Sequence, residues 1–397
     1  MKPKRHESKT VQSDLKFKVA MDVSSACETL VGGVGYSTAH ISHEMKKILG
    51  DGNIRFLSHL GSFQEVSAEA TFPLSLSGPR WKLNRAYRHL YREYILPRQI
   101  KEFGAKVAHF PDSKVPRGMR DDSTGIVVTV NDMGAYVGMV PEEHTLRHRK
   151  TIAEGVKAAD IIITISDFTK GSLIEILDVD PAKIRTVYLG VSSRFRPLEQ
   201  EVSIRTFLER YNVKEGYFFF VGEVNRRKNL LSLTEAHRLL PAPLRKMHPL
   251  VITGRINRRA MGSDKAFLED FLSLIDEHII LTGVVSEQDK LFLYNGCLAF
   301  VFPSTYEGFG LPVLEAMACG KAVIAADCSA IRELHSGKAL LLEEATGEVI
   351  RKAMVRIIED DALRRRLEAK GRRHAASFTW RNTAINTIRA YKDAVRS

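Results

Sequence analysis

Apolar and polar positions follow two alternating patterns along the whole chain. Short runs of β-branched and aromatic residues, typical of buried strands, alternate with helix-length amphipathic segments. In the first half, the predicted strands are Phe17–Val23, Val107–Phe110, Ile126–Val130, Ile161–Ser166 and Thr186–Leu189. The predicted helices between them are Ser37–Leu49, Trp81–Gln99 and Arg147–Ala158. Such alternation builds a parallel sheet that helices cover on both faces.

The alternation resumes after a break at Val191–Gln200, which contains Pro197 and has no clear period. The second set of predicted strands is Tyr217–Val221, Pro249–Thr253, Ile279–Thr282, Ala299–Phe302, Ala322–Ala325 and Ala339–Leu342. Two doubly wound domains of this kind would leave a cleft between the carboxyl ends of their sheets, where open α/β sheets bind ligands. The predicted fold class is therefore α/β, with two Rossmann-like domains.

The length of 397 residues agrees with two domains, since single cores stop growing at about 250–300 residues. We predict a disordered lead-in at residues 1–16, a first domain at 17–190, a linker at 191–200 and a second domain at 201–378. The last segment, 379–397, contains an amphipathic helix with Trp380 and Tyr391 on its apolar face. Core packing is the default interpretation of that face.

Composition and charge narrow the class of protein without choosing its partner. Apolar residues make up 44% and charged residues 27%, as in soluble globular proteins. No apolar run approaches the roughly 18–20 residues of a membrane helix, and the polar N-terminus lacks the apolar core of a signal peptide. The four cysteines have no metal-binding or paired spacing, so we expect a cytoplasmic protein. The net charge of +12 would attract nucleic acid, anionic lipid or phosphorylated substrates.

The strongest local signal is the segment Pro303–Glu333, in which a strand leads through a glycine-containing turn into a helix that begins near Pro312. Gly308 and Gly310 would let the backbone approach a ligand closely. The N–H groups of Phe309, Gly310 and Leu311, with the helix dipole behind them, would hold a phosphate.

Two glutamates flank this turn. Glu315, expected in the first helical turn, could accept hydrogen bonds from a ribose diol, and Glu307 could face the group that the phosphate carries. The alternative is an ordinary strand–turn–helix with two capping glutamates.

The string YEGFGLPVLEAMACG, with seven residues between Glu307 and Glu315, resembles the signature of glycosyltransferase family 4, the retaining GT-B enzymes. The resemblance extends from about Lys18 to Tyr391. It implies two domains that face each other across a cleft, with the helix at 379–397 crossing back to the first domain. It also implies that Glu307 contacts the transferred sugar, Glu315 the ribose, and the amides of Phe309–Leu311 the diphosphate.

A second match is VGEVNRRKNL at Val221–Leu230, where the family places an Arg–Lys pair on the donor diphosphate. Here the pair is Arg227 and Lys228. The leaving nucleoside diphosphate gains negative charge in the transition state, which two cations would offset without a metal. Taken alone, such a basic turn is more often solvated surface.

The third candidate is the glycine-rich stretch Gly32–Gly35, which opens the helix predicted from Ser37. A dinucleotide-binding fold would place a third glycine at position 38, but that residue is Thr38. In the resembled family this loop closes over the donor phosphate and sugar, which makes Gly33 and Gly35 candidates. The alternative is a flexible surface loop.

The fourth candidate follows the strand Ile126–Val130. Family members usually carry His-Asp there, whereas this chain has Asn131 and Asp132. Asn131 can donate a hydrogen bond but cannot shuttle a proton, and an Asx turn is the alternative. The resemblance also places Ser166 and Lys170 beside the cleft, although Ser166 has the position of a helix N-cap.

The stretch Gly78–Lys106 carries eight Lys or Arg residues against two acids, with aromatic residues interleaved. A basic helix with aromatics can lie on an anionic membrane surface, which would suit a lipid-linked acceptor. The alternative is a solvated helix whose aromatic side chains pack inward.

The family resemblance, taken with these features, implies a retaining, metal-independent hexosyltransferase without a cofactor, acting in surface-polysaccharide synthesis. GDP-mannose is favoured over UDP-sugars as donor, and the acceptor would be a saccharide or lipid-linked saccharide. The alternatives are another GT-B enzyme, such as a phosphorylase or an epimerase, and a basic nucleic-acid-binding protein without activity. The last would need stacking platforms or a recognition motif, which the sequence lacks. The sequence does not fix the oligomeric state.

Overall fold

The computed structural model describes residues 17–28, 33–59, 86–119, 123–139, 142–199, 201–256 and 262–395. These residues form two compact units. The first contains the described residues up to Tyr136, those of 142–190 and those from Thr379 onward. The second contains residues 137–139 and the described residues of 191–378. The chain thus leaves the first unit after Gly190 and returns to it at Thr379.

The first unit is built on a parallel six-stranded sheet of order β2-β1-β3-β4-β5-β6. Its strands are β1 (Lys18–Asp22), β2 (Ile54–Leu57), β3 (Ala105–Phe110), β4 (Gly125–Val130), β5 (Ile161–Thr164) and β6 (Ile184–Thr186). Its helices before Gly190 are α1 (Ser24–Glu28), α2 (Gly33–Leu49), α3 (Leu96–Phe103), α4 (Glu142–Ala158) and α5 (Asp167–Leu177). Helical residues 86–90 and a π-helical turn at Tyr91–Ile95 precede α3 directly.

Both faces of this sheet are buried, as helices on either side require. Because side chains alternate along a strand, Val127 of β4 belongs to one apolar cluster and Val128 to the other. The same division separates Ile161 from Ile162 on β5. This double burial explains why the strands are nearly continuous apolar runs in the sequence.

The second unit repeats the plan with a parallel sheet of order β12-β11-β10-β7-β8-β9. Its strands are β7 (Tyr217–Val221), β8 (Leu250–Thr253), β9 (Ile279–Gly283), β10 (Cys297–Phe302), β11 (Ala322–Ala326) and β12 (Leu340–Leu342). Its helices are α6 (Glu201–Glu209), α7 (Leu230–Arg238), α8 (Ala242–Met247), α9 (Gly262–Ser273), α10 (Glu287–Gly296), α11 (Leu311–Ala318), α12 (Ser329–His335), α13 (Gly347–Glu359) and α14 (Asp361–Ala375). Since β7 and β10 are parallel neighbours, the loops that follow them leave the same edge of the sheet side by side.

The last helix, α15 (Trp380–Ala394), packs into the core of the first unit. Ile388 and Tyr391 are fully buried there, and the Tyr391 hydroxyl lies 2.8 Å from Nδ1 of His109 on β3. The fit is close at Gly190, where a Cβ would come within 2.1 Å of the Trp380 nitrogen. A side chain at that position would displace the start of the helix.

The α/β class predicted from the sequence is confirmed, but several boundaries are wrong. The strand predicted at Thr186–Leu189 lies earlier, at Ile184–Thr186, because Val187 and Leu189 are buried by packing after the strand has ended. The helix predicted from Ser37 begins at Gly33, and the one predicted from Arg147 begins at Glu142. Residues 81–85 of the predicted helix Trp81–Gln99 lie outside the described part, and the helical segment continues past Gln99 to Phe103.

Candidate active site

The turn between β10 and α11 has a backbone that only glycine accommodates at one position. Gly310 adopts a φ of +92° and caps the helix, which begins at Leu311. A Cβ on Gly310 would lie 2.4 Å from Cδ1 of Ile331. Pro312 has no N–H and the N–H of Val313 donates to the carbonyl of Gly310 at 3.0 Å, so the N–H groups of Phe309, Gly310 and Leu311 are the ones that this helix start would offer to an anion.

Glu307 lies just before this turn and is 7% exposed. Lys228 Nζ is 2.5 Å from its Oε1, and Arg227 Nη1 is 3.3 Å from its Oε2. The backbone N–H of Glu307 donates to Oγ of Ser329, 2.9 Å away, at the start of α12. Glu307 is therefore held both at its backbone and at its carboxylate.

Arg227 and Lys228 occupy a single 3₁₀ turn, Arg226–Lys228, directly after β7. This turn is hydrogen-bonded to the loop after β10, since the N–H of Thr305 donates to the Arg227 carbonyl at 2.9 Å. Arg227 Nη1 also donates to the carbonyl of Tyr306 at 3.1 Å. The two loops thus form one connected structure around the three charged groups.

Electrostatics favour the ionised form of Glu307. Burial alone would raise its pKa, but the charges of Lys228 and Arg227, with the hydrogen bond from Lys228, lower the pKa below its ordinary value. Two cations and one carboxylate leave a net positive charge at the start of α11. Such a cluster can receive an anion without first gaining a proton.

Glu315 is the fifth residue of α11, one position beyond the first turn in which the sequence analysis placed it. It is 4% exposed, and the Tyr294 hydroxyl donates to its Oε2 at 2.8 Å. Lys290 Nζ lies 3.8 Å from its Oε1. Burial raises the pKa of Glu315 to about 7, although Lys290 opposes this shift.

Gly308 and Phe309 complete the predicted phosphate-binding turn, and both are buried. The ring of Phe309 packs against Phe378, with ring centroids 6.1 Å apart. Its side chain therefore belongs to the core, and only its backbone is a candidate for ligand contact. A ligand role for the turn remains a prediction.

The remaining candidates belong to the first unit. Gly33 and Gly35 lie in the first turn of α2 itself, not in a loop before it, and a Cβ on Gly33 would meet no heavy atom within 4 Å. Asn131 Nδ2 donates to the Pro111 carbonyl at 3.0 Å. Asp132 Oδ1 accepts from the N–H of Gly134 at 2.9 Å, which is the Asx turn considered as the alternative.

Ser166 is the N-cap of α5, where its hydroxyl accepts from the N–H of Thr169. The capping interpretation of Ser166 is therefore confirmed.

Four side chains near the glutamates were missed by the sequence analysis: Asn225, Lys290, Tyr294 and Ser329. Asn225 precedes the Arg–Lys turn, and its buried Oδ1 has no donor within the described residues. Lys290 and Tyr294 come from α10, and Ser329 from the start of α12. Of these four residues, only Asn225 lies in the predicted Val221–Leu230 motif. Its position close to Arg227 in that motif could have identified it.

Two features are absent from the described residues. No group of three or more His, Cys, Asp or Glu side chains within them is placed to hold a metal ion. None of their helices combines the length and the apolar character needed to cross a bilayer.

Profiles of two protein families match the two halves of the chain. The profile described as Glycosyltransferase Family 4 matches residues 31–195. The one described as Glycosyl transferases group 1 matches residues 206–374, which include Arg227, Lys228 and both glutamates. The chain therefore carries a domain of each of these glycosyltransferase families and is a glycosyltransferase, as its signature string predicts.

Curated relatives include bacterial mannosyltransferases. O-antigen chain mannosyltransferase B of Escherichia coli is 29% identical over 317 residues, which cover 78% of this chain and 80% of that protein. The serotype-specific mannosyltransferase WbdA of Escherichia coli is 29% identical over 240 residues, or 60% of this chain. The matched part is 29% of WbdA, so the chain spans less than a third of that relative's length.

Solved structures share the fold at low sequence identity. Sucrose-phosphate synthase from Thermosynechococcus elongatus matches with a TM-score of 0.73 and 20% identity, over 95% of this chain and 98% of that one. A glycosyltransferase from Rickettsia africae matches with a TM-score of 0.69 and 17% identity, over 96% and 100% of the two chains. These likenesses identify the GT-B fold, as predicted.

Proposed function

We propose that this glycosyltransferase transfers mannose from GDP-mannose to a saccharide or lipid-linked saccharide, with retention at the anomeric carbon and without a divalent metal. The observation that carries the proposal is the cluster of Glu307, Arg227 and Lys228 beside the start of α11. Its net positive charge and the neighbouring N–H groups at the start of α11 suit a nucleoside diphosphate, and its carboxylate suits the sugar attached to it. The mannosyltransferases among the relatives favour mannose as that sugar and a surface polysaccharide as product.

In the proposed reaction, the bond between C1 of the sugar and the donor phosphate breaks while the acceptor oxygen bonds to C1 on the same face. The acceptor proton passes to the departing phosphate oxygen. Arg227 and Lys228 stabilise the charge that develops on that phosphate. Glu307, kept ionised by the same two cations, orients the sugar hydroxyls and stabilises the positive charge near C1. Positioning and electrostatics, instead of a strong base, then supply the rate enhancement.

The decisive test is donor hydrolysis by purified protein, measured as release of GDP or UDP from GDP-mannose, UDP-glucose and UDP-galactose. We expect slow release of GDP from GDP-mannose, unaffected by a chelator, and a larger thermal shift with GDP than with UDP or ADP. All three nucleotides are compared at one concentration. A nucleotide present at 100 times its Kd stabilises by about 2.7 kcal/mol and weaker ligands stabilise by less, so the shifts rank the three. Loss of turnover with a chelator would contradict metal independence. Absence of any hydrolysis, with salt-sensitive nucleic-acid binding, would contradict the proposal as a whole.

We further propose that residues 86–103 contact an anionic membrane surface from the cytoplasmic side. Tyr87, Leu90 and Tyr94 are exposed there, Tyr94 by 71%, with the basic Arg98 and Lys101 on the same segment. Tyr91 and Phe103 instead pack inward. Aromatic and aliphatic side chains beside basic ones are typical of interfacial helices.

The membrane proposal is tested by flotation with vesicles that contain about a third phosphatidylglycerol. Tyr94→Ser together with Leu90→Ser should reduce the bound fraction, whereas Leu272→Ser, an exposed position of the second unit, should not. Equal binding to neutral vesicles, or none to either kind, would contradict it.

A further inference from the structure

Glu315 belongs to a buried charged group formed by α10 and α11. Lys290 Nζ lies 3.8 Å from Glu315 Oε1 and 2.7 Å from Oε1 of Glu287, so one ammonium serves two carboxylates. The Tyr294 hydroxyl donates to the other oxygen of Glu315 at 2.8 Å. Lys290 and Tyr294 are one helical turn apart, so both lie on the same face of α10 and both reach Glu315 of α11.

The other charges around this group decide how strongly Lys290 acts. Glu287 raises the pKa of Glu315 by like-charge repulsion, and Arg194 opposes the charge of Lys290. Burial raises the pKa of the Cys319 thiol, one turn further along the chain, so it adds no charge to the group. Burial opposes the charge of Lys290, but the two carboxylates outweigh it and raise the pKa of Lys290, which therefore stays an ammonium. Lys290 is the cation that favours ionisation of Glu315.

We propose that Lys290 is a positioning residue that keeps Glu315 available as a carboxylate for the ribose diol of the donor nucleotide. The inference rests on the proposed function, in which Glu315 contacts the ribose. A carboxylate can accept from both diol hydroxyls while Oε2 also accepts from Tyr294, because its two oxygens offer about four acceptor positions. A protonated Glu315 would lose acceptor capacity and the extra strength of charge-assisted hydrogen bonds.

This arrangement makes recognition of the nucleotide depend on pH near neutrality. With a pKa of about 7, Glu315 is ionised in about half of the molecules at pH 7. Loss of the ammonium would raise the pKa further. A rise of about one unit would leave about a tenth ionised, which lowers the affinity contributed by the diol about fivefold.

The test compares the binding of GDP and UDP with that of their 2′,3′-dideoxy forms, by calorimetry between pH 6 and pH 9. In the wild type, the preference for the ribose form should increase as the pH rises through about 7. Lys290→Met should reduce this preference about fivefold at pH 7 and regain it near pH 9, with the affinity for the dideoxy form unchanged. Lys290→Arg should restore the wild-type profile. The matched control is Lys352→Met, at an exposed lysine paired with Glu348 on α13.

Glu287→Gln supplies a variant that should change the profile in the opposite direction. It removes a negative charge and frees the ammonium for Glu315, so the transition should occur at lower pH. The side chain of Glu287 is one-third exposed, so Glu287→Gln is expected to fold. It therefore tests the inference even if Lys290→Met is unstable.

The possible outcomes separate this inference from the proposed function. If the wild type binds GDP or UDP with a diol preference that is independent of pH, or if Lys290→Met weakens the ribose and dideoxy forms equally at every pH, the inference is wrong and the proposed function stands. If Glu287→Gln leaves the transition unchanged, the inference is likewise wrong. If the wild type binds no nucleotide, both are wrong.

Discussion

Glu307 and Glu315 lie on one turn and the helix that follows it, both buried, yet their pKa values are shifted in opposite directions. Glu307 has two cations within 3.3 Å, and its pKa is lowered. Glu315 has one cation at 3.8 Å, shared with Glu287, and its pKa is raised. Burial is nearly equal for the two, so the number and distance of the cations decide the protonation state. One glutamate is a fixed charge at neutral pH, and the other titrates.

The largest effect is expected for Glu307→Gln, which removes the ionised member of the two glutamates. It leaves Arg227 and Lys228 close together without their counter-charge. Removing one partner of a buried ion pair costs about 3–5 kcal/mol of the free energy of unfolding. We expect a marked fall in Tm, partly reversed by added GDP because its phosphates replace the missing negative charge. Thermal denaturation with and without nucleotide measures both effects, and chemical denaturation gives the change in the free energy of unfolding. A Tm equal to that of the wild type would show that the pair contributes nothing to stability.

Lys228→Met removes the nearer cation and should act mainly on the reaction. Loss of one preorganised group that stabilises a developing charge costs about 2.7–4 kcal/mol of the activation barrier, or about 10²–10³ in kcat. The measurement is the rate of GDP release from GDP-mannose, with Lys352→Met as the control for loss of a surface lysine. A decrease confined to KM would mean that Lys228 binds the ground state and the transition state equally.

Glu315→Gln tests the titrating member of the comparison through stability. The folded-state pKa of Glu315, about 7, lies above the ordinary value of 4.5, so folding favours the protonated form. The protonated group stabilises fully below about pH 4.5, and this contribution is lost as the pH rises through about 7. Each pKa unit corresponds to about 1.4 kcal/mol. The stability of the wild type minus that of Glu315→Gln should therefore fall between pH 5 and pH 8.

The opposite sign is expected for Glu307, because its folded-state pKa is lowered. Its contribution is present above the unfolded-state pKa and is lost as the pH falls through the folded-state value. Parallel curves for Glu307→Gln and Glu315→Gln over pH 3 to 8 would contradict the contrast between the two glutamates.

Much of the fold was predictable because both faces of each sheet are buried, which gives continuous apolar runs. The strand Tyr217–Val221 was predicted with its observed boundaries. The edge strand Ile54–Leu57 was missed, since it has four residues and includes the exposed Arg55. The strand end predicted at Leu189 was wrong because Leu189 is buried although the pairing with β5 ends at Thr186 and the N–H of Val187, which donates to the Thr164 carbonyl. An apolar run indicates burial and does not mark where strand pairing ends.

The site was predictable only where a motif marked it. Arg227, Lys228 and Glu307 were candidates from their strings, but their contact depends on β7 and β10 being neighbours in the sheet, which no local pattern encodes. Lys290 lies in a run of polar residues on a helix, Ser286–Lys290, which is typical of a solvated surface. Only the packing of α10 against the segment that contains α11 turns that lysine toward Glu315.

Ser329 makes the smallest of these contributions, and nothing in the segment Pro303–Glu333 marks it as a partner of Glu307. Its Oγ accepts the backbone N–H of Glu307 at 2.9 Å, so Ser329→Ala leaves that N–H without its acceptor while the ion pairs remain. A lost hydrogen bond of this kind costs about 0.5–1.5 kcal/mol. We expect a small fall in Tm and a kcat reduced less than in Lys228→Met, because the charges stay in place. Ser273→Ala, at an exposed serine that donates to its own helix, is the control. A kcat as low as that of Lys228→Met would mean that the backbone position of Glu307, more than the cations around it, limits the reaction.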